Sequence, residues 1–257
     1  MSKKILLIGP LSPPITGVSI CNDKIINKLP KEYNVKIEHI NTASNSFNEK
    51  VGKFSLIKLF KQFFNYFFLY KILRVDIVYL TIGQTFFGVL KYAPFIYLTK
   101  VLNKKVIIHI HGNYLKTQFD SLSGLKKKLF SHILKKADKG IVLSENLINN
   151  LIPFLPKNRI FILHNYVENY LLQSIEQNIS NKIKNELKIV YLSNLMTEKG
   201  VFDLLDALEI LQQRKVKFKA QLAGNIDNKI KGEILNKISN IENCVYLGVV
   251  SGEKKKK

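Results

Sequence analysis

Two histidines stand two residues apart in Ile108-His109-Ile110-His111-Gly112-Asn113-Tyr114, behind a run of β-branched residues. On an extended strand, residues i and i+2 share a face, so both imidazoles are expected side by side where a strand ends. An imidazole there can hydrogen-bond a hydroxyl or a charged intermediate. His111, followed by Gly112, is better placed at the mouth for that task, with His109 behind it. Two histidines also suggest a metal, but no third ligand with sensible spacing accompanies them, and no metal is expected. Upstream, Gly9-Pro-Leu-Ser-Pro-Pro-Ile-Thr16-Gly17 leads into a helical pattern and presents free backbone N–H groups at a helix start, a place that suits phosphate. The loop lacks both G-x-G-x-x-G spacing and a following Gly-Lys-Ser/Thr, so it is neither a dinucleotide fingerprint nor a P-loop. A proline-rich turn that merely opens a helix reads the same way. Further on, Tyr191-Leu-Ser-Asn194-Leu-Met-Thr-Glu-Lys199-Gly200 joins a strand to a helix with a cation at its end, an anion-binding arrangement, although Lys199 also reads as an ordinary surface lysine. Leu222-Ala-Gly224-Asn225 ends another strand in a tight turn, where the glycine either admits a ligand or simply makes the turn.

These residues need a scaffold, and short apolar runs alternating with longer amphipathic ones indicate βαβ units on a parallel sheet. Strands are expected at Lys4–Ile8, Tyr33–Ile40, Asp76–Leu80, Val106–His111, Gly140–Leu143 and Arg159–Leu163. Helices are expected at Val18–Leu29, Leu56–Leu73, Gly88–Leu102, Leu122–Lys136 and Glu145–Ile152. A polar stretch without hydrophobic period then begins at Asn165. The alternation restarts with strands at Lys188–Leu192, Phe218–Ala223 and Cys244–Leu247 and helices at Val201–Gln212 and Ile230–Ile238. The expected fold class is therefore α/β: an N-terminal Rossmann-like domain over residues 1–168, a linker over 169–186, and a second Rossmann-like domain over 187–257. The second series is shorter than the roughly 100 to 150 residues typical of such a domain and runs into Glu253-Lys-Lys-Lys-Lys257, so it is expected to be incomplete.

Composition narrows the function classes. The 257 residues are 46% hydrophobic and 23% charged with 13 Gly and 7 Pro, which excludes a disordered or fibrous chain. Cys21 and Cys244 are too few and too far apart for a disulfide framework, so a reducing compartment is the default. Ile5-Leu-Leu-Ile8 is too short for a signal peptide core. Phe63–Leu73, interrupted by Asn65 and Lys71, falls short of the roughly 20 apolar residues of a spanning helix. The formal charge is +21, an excess that invites an anionic partner. No recognition helix, RNP-like aromatic strand or zinc spacing accompanies it, so nucleic acid is not expected.

Taken in order, the Pro-Pro-Ile-Thr-Gly loop, the His-Ile-His-Gly strand end, Val142-Leu-Ser-Glu145, Leu163-His-Asn165-Tyr-Val-Glu168, the Leu192-to-Gly200 segment and Leu-Ala-Gly224-Asn with Tyr246-Leu-Gly248 resemble family 4 glycosyltransferases of GT-B architecture. The resemblance spans essentially the whole chain. It implies two Rossmann-like domains, an acceptor on the first and a nucleotide-sugar donor held mainly by the second, and transfer with retention and without an obligatory metal or other cofactor. It places His111 near the transferred sugar, with His109 and Asn165 supporting, and Thr16-Gly17, Asn194, Lys199 and Gly224 at the donor. Thr16 stands where the family has a first glycine, and Asn194 where it has an arginine. The paired-glutamate motif that grips the donor would follow Gly248, beyond this sequence, so donor binding and transfer are expected to be impaired in the chain as it stands. The implied role is in cell-surface polysaccharide assembly, with a lipid-linked or saccharide acceptor and a cytoplasmic location. A non-catalytic remnant, or one partner of a split transferase, is the alternative. Phe54–Leu73 interleaves lysines with aromatics, and Lys126–Lys128 adds charge, a pattern suited to peripheral attachment on an anionic membrane face. The same aromatics also read as core against a sheet.

Overall fold

The computed structural model describes residues 2–13, 15–43, 63–166 and 187–250. The chain divides into two compact units, Met1–Asn165 and Tyr166–Lys257. The expected linker over 169–186, the start of the expected helix Leu56–Leu73, and the terminal lysine run lie outside the described residues.

The first unit is built on six parallel strands: β1 (Lys3–Gly9), β2 (Val35–Asn41), β3 (Ile77–Thr81), β4 (Lys105–His109), β5 (Lys139–Val142) and β6 (Ile160–Ile162). Their order is β2-β1-β3-β4-β5-β6. The chain steps from β1 outward to β2 and then crosses back to β3, so the topological switch point lies between β1 and β3, where parallel α/β sheets open a crevice at their carboxyl ends. One face packs Leu6, Ile8, Val78, Leu80, Ile108 and Val142 into the main core beneath α3 (Ala93–Val101) and α5 (Gly124–Leu134). The other carries Leu7, Tyr79 and Ile107 against Ile25 and Ile26 of α1 (Gly17–Glu32). Burial on both faces explains why β1, β3 and β4 read as continuous apolar runs, whereas the edge strand β2 alternates.

Several expectations need correction. The helix expected over Gly88–Leu102 is two, α2 (Phe86–Leu90) and α3, because Pro94 sits in the first turn of α3, where it lacks an N–H to continue a preceding helix. The single helix expected over Leu122–Lys136 is shortened to α5 and preceded by α4 (Tyr114–Ser121). Glu145–Asn150 and Phe67–Arg74 are 3-10 turns. Strand β4 stops at His109, two residues early, since Gly112 takes φ +142 and turns the chain away.

The second unit has three parallel strands, β7 (Leu187–Leu192), β8 (Phe218–Ala223) and β9 (Cys244–Tyr246), in that order, with α6 (Val201–Gln213) and α7 (Lys231–Ser239). Leu205, Leu208, Ala220, Leu222, Ile234 and Ile238 form its core.

Candidate functional site

The first unit's candidate site lies at its switch point. Helix α1 runs back against the strands, so its first turns lie over their carboxyl ends. Thr16 caps it in a reciprocal box with Ser19: the Ser19 N–H donates to Thr16 Oγ1 at 3.1 Å and the Thr16 N–H to Ser19 Oγ at 2.8 Å. Such caps contribute about 1 kcal/mol to a helix start. Asn22, fully buried, pins the helix to the sheet by donating to the Pro10 carbonyl and to Thr81 Oγ1, both at 2.9 Å. This docking is tight, since a Cβ on Gly9 would come within 1.8 Å of Thr81 Oγ1. Gly17 is the opposite case. It is exposed, and a Cβ there would meet nothing within 4 Å, so its backbone is open to an approaching group.

Thr81 pairs in register with His109 on the neighbouring strand, which brings the histidines to the same edge. His109 is fully buried, and its Nδ1 lies 2.5 Å from Tyr79 Oη and 3.1 Å from His111 Nε2. The imidazoles meet, as the i, i+2 spacing predicts, although His111 stands beyond the strand. Gln84 holds that turn: its Nε2 donates to the His111 carbonyl at 3.1 Å, while its Oε1 accepts from the N–H groups of Tyr114 and Leu115 at the start of α4. Asn165 is exposed past β6, two strands from β4, and no hydrogen bond described here ties it to the pair.

Burial lowers His111 to about 4, and burial together with the charge of a protonated His111 lowers His109 to about 3. Burial also pushes up the Tyr79 phenol and the Cys21 thiol. At neutral pH the pair is uncharged and acts through hydrogen bonds rather than as a cation. Two buried side-chain polar atoms here have no hydrogen-bond partner among the described residues, Asn22 Oδ1 and His109 Nε2. Buried polar atoms are nearly always satisfied, and both orphans belong to residues of this edge.

A pH dependence of stability follows. Both folded values lie below the ordinary histidine value of 6.5, so the contribution is intact above pH 6.5 and is lost as the pH falls from there toward 4 and 3. The limiting slope is about 1.4 kcal/mol per pH unit for each histidine. Urea unfolding at pH 7.5, 5.5 and 4.5 should show the first unit weakening stepwise, and His109→Gln should flatten the profile. An unchanged slope in that variant would refute the neutral pair.

The second unit brings Asn194, Lys199 and Gly224 to the carboxyl ends of β7 and β8. Tyr191 Oη donates to the carbonyls of Asn194 at 3.2 Å and Lys199 at 3.1 Å, tying the loop to its strand. Gly200 adopts φ +70 and caps α6, leaving the exposed Lys199 two residues before the first residue of the helix. Gly224 takes φ +147, and a Cβ there would lie 1.9 Å from the Ser193 carbonyl oxygen. Its turn is held by Tyr246 Oη donating to the Gly224 carbonyl at 2.7 Å and by the Gly224 N–H donating to the Gly248 carbonyl. Gly224 is thus required by the close approach of two loops. The sequence reading overlooked Gln84, Tyr79, Tyr191 and Tyr246. Tyr79 carried a signal, since a buried phenol needs a polar partner.

No protein-family model and no curated protein matches the chain. Solved structures match it at low identity. UDP-GlcNAc 2-epimerase from Neisseria meningitidis, bound to UDP-GlcNAc, aligns with TM-score 0.55 and 14% identity over 98% of this chain and 74% of that one. An alpha-glucosyltransferase in complex with UDP and a mismatched 13-mer DNA aligns at 0.52 and 13%, over 96% and 66%. Phytolacca americana UGT2, complexed with UDP-2-fluoro-glucose and pterostilbene, aligns at 0.50 and 10%, over 96% and 72%. The chain therefore has the α/β, GT-B-like fold of nucleotide-sugar enzymes, two Rossmann-like units with parallel sheets.

Proposed function

We propose that the chain belongs to a retaining glycosyltransferase of the family 4 type, which moves a sugar from a nucleotide-sugar to a lipid-linked or saccharide acceptor in cell-surface polysaccharide assembly. The observation that carries this reading is the neutral histidine pair, His109 buried and His111 half-buried, at the end of β4 beside the switch point of the first sheet, with orphaned polar atoms and an open helix start nearby, in a fold shared with UDP-sugar enzymes. The reaction breaks the bond from the anomeric carbon to a diphosphate oxygen and forms one to an acceptor hydroxyl. Charge grows on the diphosphate, which needs cations and backbone N–H groups, while the oxocarbenium-like sugar needs polar neighbours. On the first unit, His111 offers a hydrogen bond to the sugar and Gly17 an accessible helix start. On the second, Lys199 offers the cation and Gly224 a close backbone approach. No metal enters this scheme.

A membrane-bound acceptor accords with an exposed aromatic face. Phe63, Phe64, Phe67, Tyr70 and Leu73 are exposed beside Arg74, while Tyr66, Leu69 and Ile72 of the same stretch enter the core. Among the described residues no helix is long and apolar enough to cross a membrane. The reading is tested by giving the protein UDP-sugars and a lipid-linked acceptor in anionic vesicles. Nucleotide release that requires acceptor, retention in the product, and salt-sensitive co-sedimentation are expected. Release without acceptor, with a sugar altered at C2, would overturn it in favour of the chemistry named for the epimerase neighbours.

A further inference from the structure

The third ligand that the local spacing of the histidines does not provide comes from the first helix. Cys21 precedes Ile25 by one helical turn, and residues i and i+4 share a helix face. Ile25 packs on the sheet beside Tyr79 and Ile107, so Cys21 lies over the same strands one turn nearer their carboxyl ends. His109 follows Ile107 by two residues and points to the same side. As a result Cys21 Sγ and one ring nitrogen each of His109 and His111 all lie within 4.8 Å of one another.

We propose that Cys21, His109 and His111 form a binding site for a borderline-soft divalent cation, zinc being the best match. One thiolate and two neutral imidazoles are a zinc donor set, and three protein ligands leave a fourth tetrahedral position for water or another ligand. Tetrahedral zinc spaces its ligand atoms by roughly 3.3 to 3.6 Å, from Zn–N near 2.0 Å and Zn–S near 2.3 Å, so atoms no more than 4.8 Å apart would need to close by at most roughly 1.5 Å. A second observation is independent of this proximity. His109 is fully buried and its Nε2 has no partner, whereas its Nδ1 faces Tyr79 Oη at 2.5 Å. Coordination through Nε2 gives the orphaned atom a partner; Nδ1 then gives up its 3.1 Å contact with His111 Nε2 and keeps its N–H for the phenol, the outer hydrogen bond that metal-bound histidines usually make. The thiol proton is released to buffer when the sulfur binds the ion. The site lies wholly within the first unit; it shares His111 with the transferase reading, so a bound ion would compete with that role, but its existence does not rest on that reading.

Cobalt(II) substitution tests it on the chain freed of any polyhistidine tag. One equivalent of Co2+ is expected to give thiolate-to-metal charge transfer in the near ultraviolet and tetrahedral visible bands, both abolished by a stoichiometric amount of Zn2+. Cys21→Ser should lose the charge-transfer band, and His109→Gln should weaken Zn2+ binding at least tenfold in competition with a chromophoric chelator, with thermal unfolding confirming that each variant is folded. Octahedral spectra, a charge-transfer band that survives Cys21→Ser, or equal zinc affinity in both variants and the parent would overturn the assignment. A protein that binds zinc yet, once stripped of metal by a chelator, transfers no sugar upholds the site and counts only against the transferase reading.

Discussion

Replacing His111 by alanine is expected to lower sugar transfer by about 10²-fold or more in kcat, the usual cost of removing one oriented hydrogen-bonding group from a reacting centre, with little change in folding or in donor affinity. The physical basis is local. His111 lies beyond the end of β4, its ring makes one described hydrogen bond within the protein, to His109 Nδ1, and His109 retains Tyr79 when that bond is lost. The group acts as a neutral imidazole, since burial holds it near 4. Its contribution should therefore not fade between pH 8 and 5.5, whereas a cationic role would disappear over the upper part of that window. The measurement is kcat and KM for parent and variant, with a chelator present so that metal binding does not intrude. Wild-type turnover in the variant would remove His111 from the chemistry, and a loss confined to KM would reassign it to uniform binding.

Replacing Gly224 by alanine is expected to cost the second unit on the order of 3 kcal/mol or more, while leaving the first unit intact. The new Cβ would stand 1.9 Å from the Ser193 carbonyl oxygen, with the backbone at φ +147. The obstacle is backbone, held by the Ser193 N–H donating to the Ala223 carbonyl at 3.1 Å, so it has no side-chain rotation by which to yield. Amide exchange resolved by peptide should show β8 and β7 losing protection while β1, β3 and β4 keep theirs. Gly17→Ala is the internal contrast. Nothing lies within 4 Å of that Cβ, so stability should change by less than about 0.5 kcal/mol, and any functional loss there must come from a ligand. Equal stability losses in the two variants would refute the distinction between a glycine required by the fold and one open to an incoming group.

The alternation of strands and helices was legible because a strand buried on both faces, such as β3, reads as an unbroken apolar run and a half-buried one, such as β8, as an alternating one. Phe218–Ala223 was located to the residue and the other strands nearly so. Boundaries failed where chain geometry rather than hydrophobicity ended an element. The turn at Gly112 cut β4 short at His109, and Pro94 divided a helix whose apolar pattern ran on without interruption. The exposed aromatics of the stretch from Phe63 were open to two readings, core or surface. The structure separates them, since Tyr66, Leu69 and Ile72 go inward and Phe63, Phe67 and Leu73 outward.

The sequence by itself determined the α/β class, the adjacency of His109 and His111, and the loops that open α1 and α6. All of these depend on neighbours within a few residues, where the periods of strand and helix govern which side chains meet. Only the tertiary structure decided the rest. Strand order put the switch point between β1 and β3, and the packing of α1 carried Cys21 and Asn22 to the histidine edge. The contact of two loops explains why position 224 is a glycine. Burial, which no local pattern measures, left both histidines neutral and one ring nitrogen without a partner. Such features arise where segments distant in sequence meet, and they follow from the order in which strands are laid into a sheet rather than from the composition of any one of them.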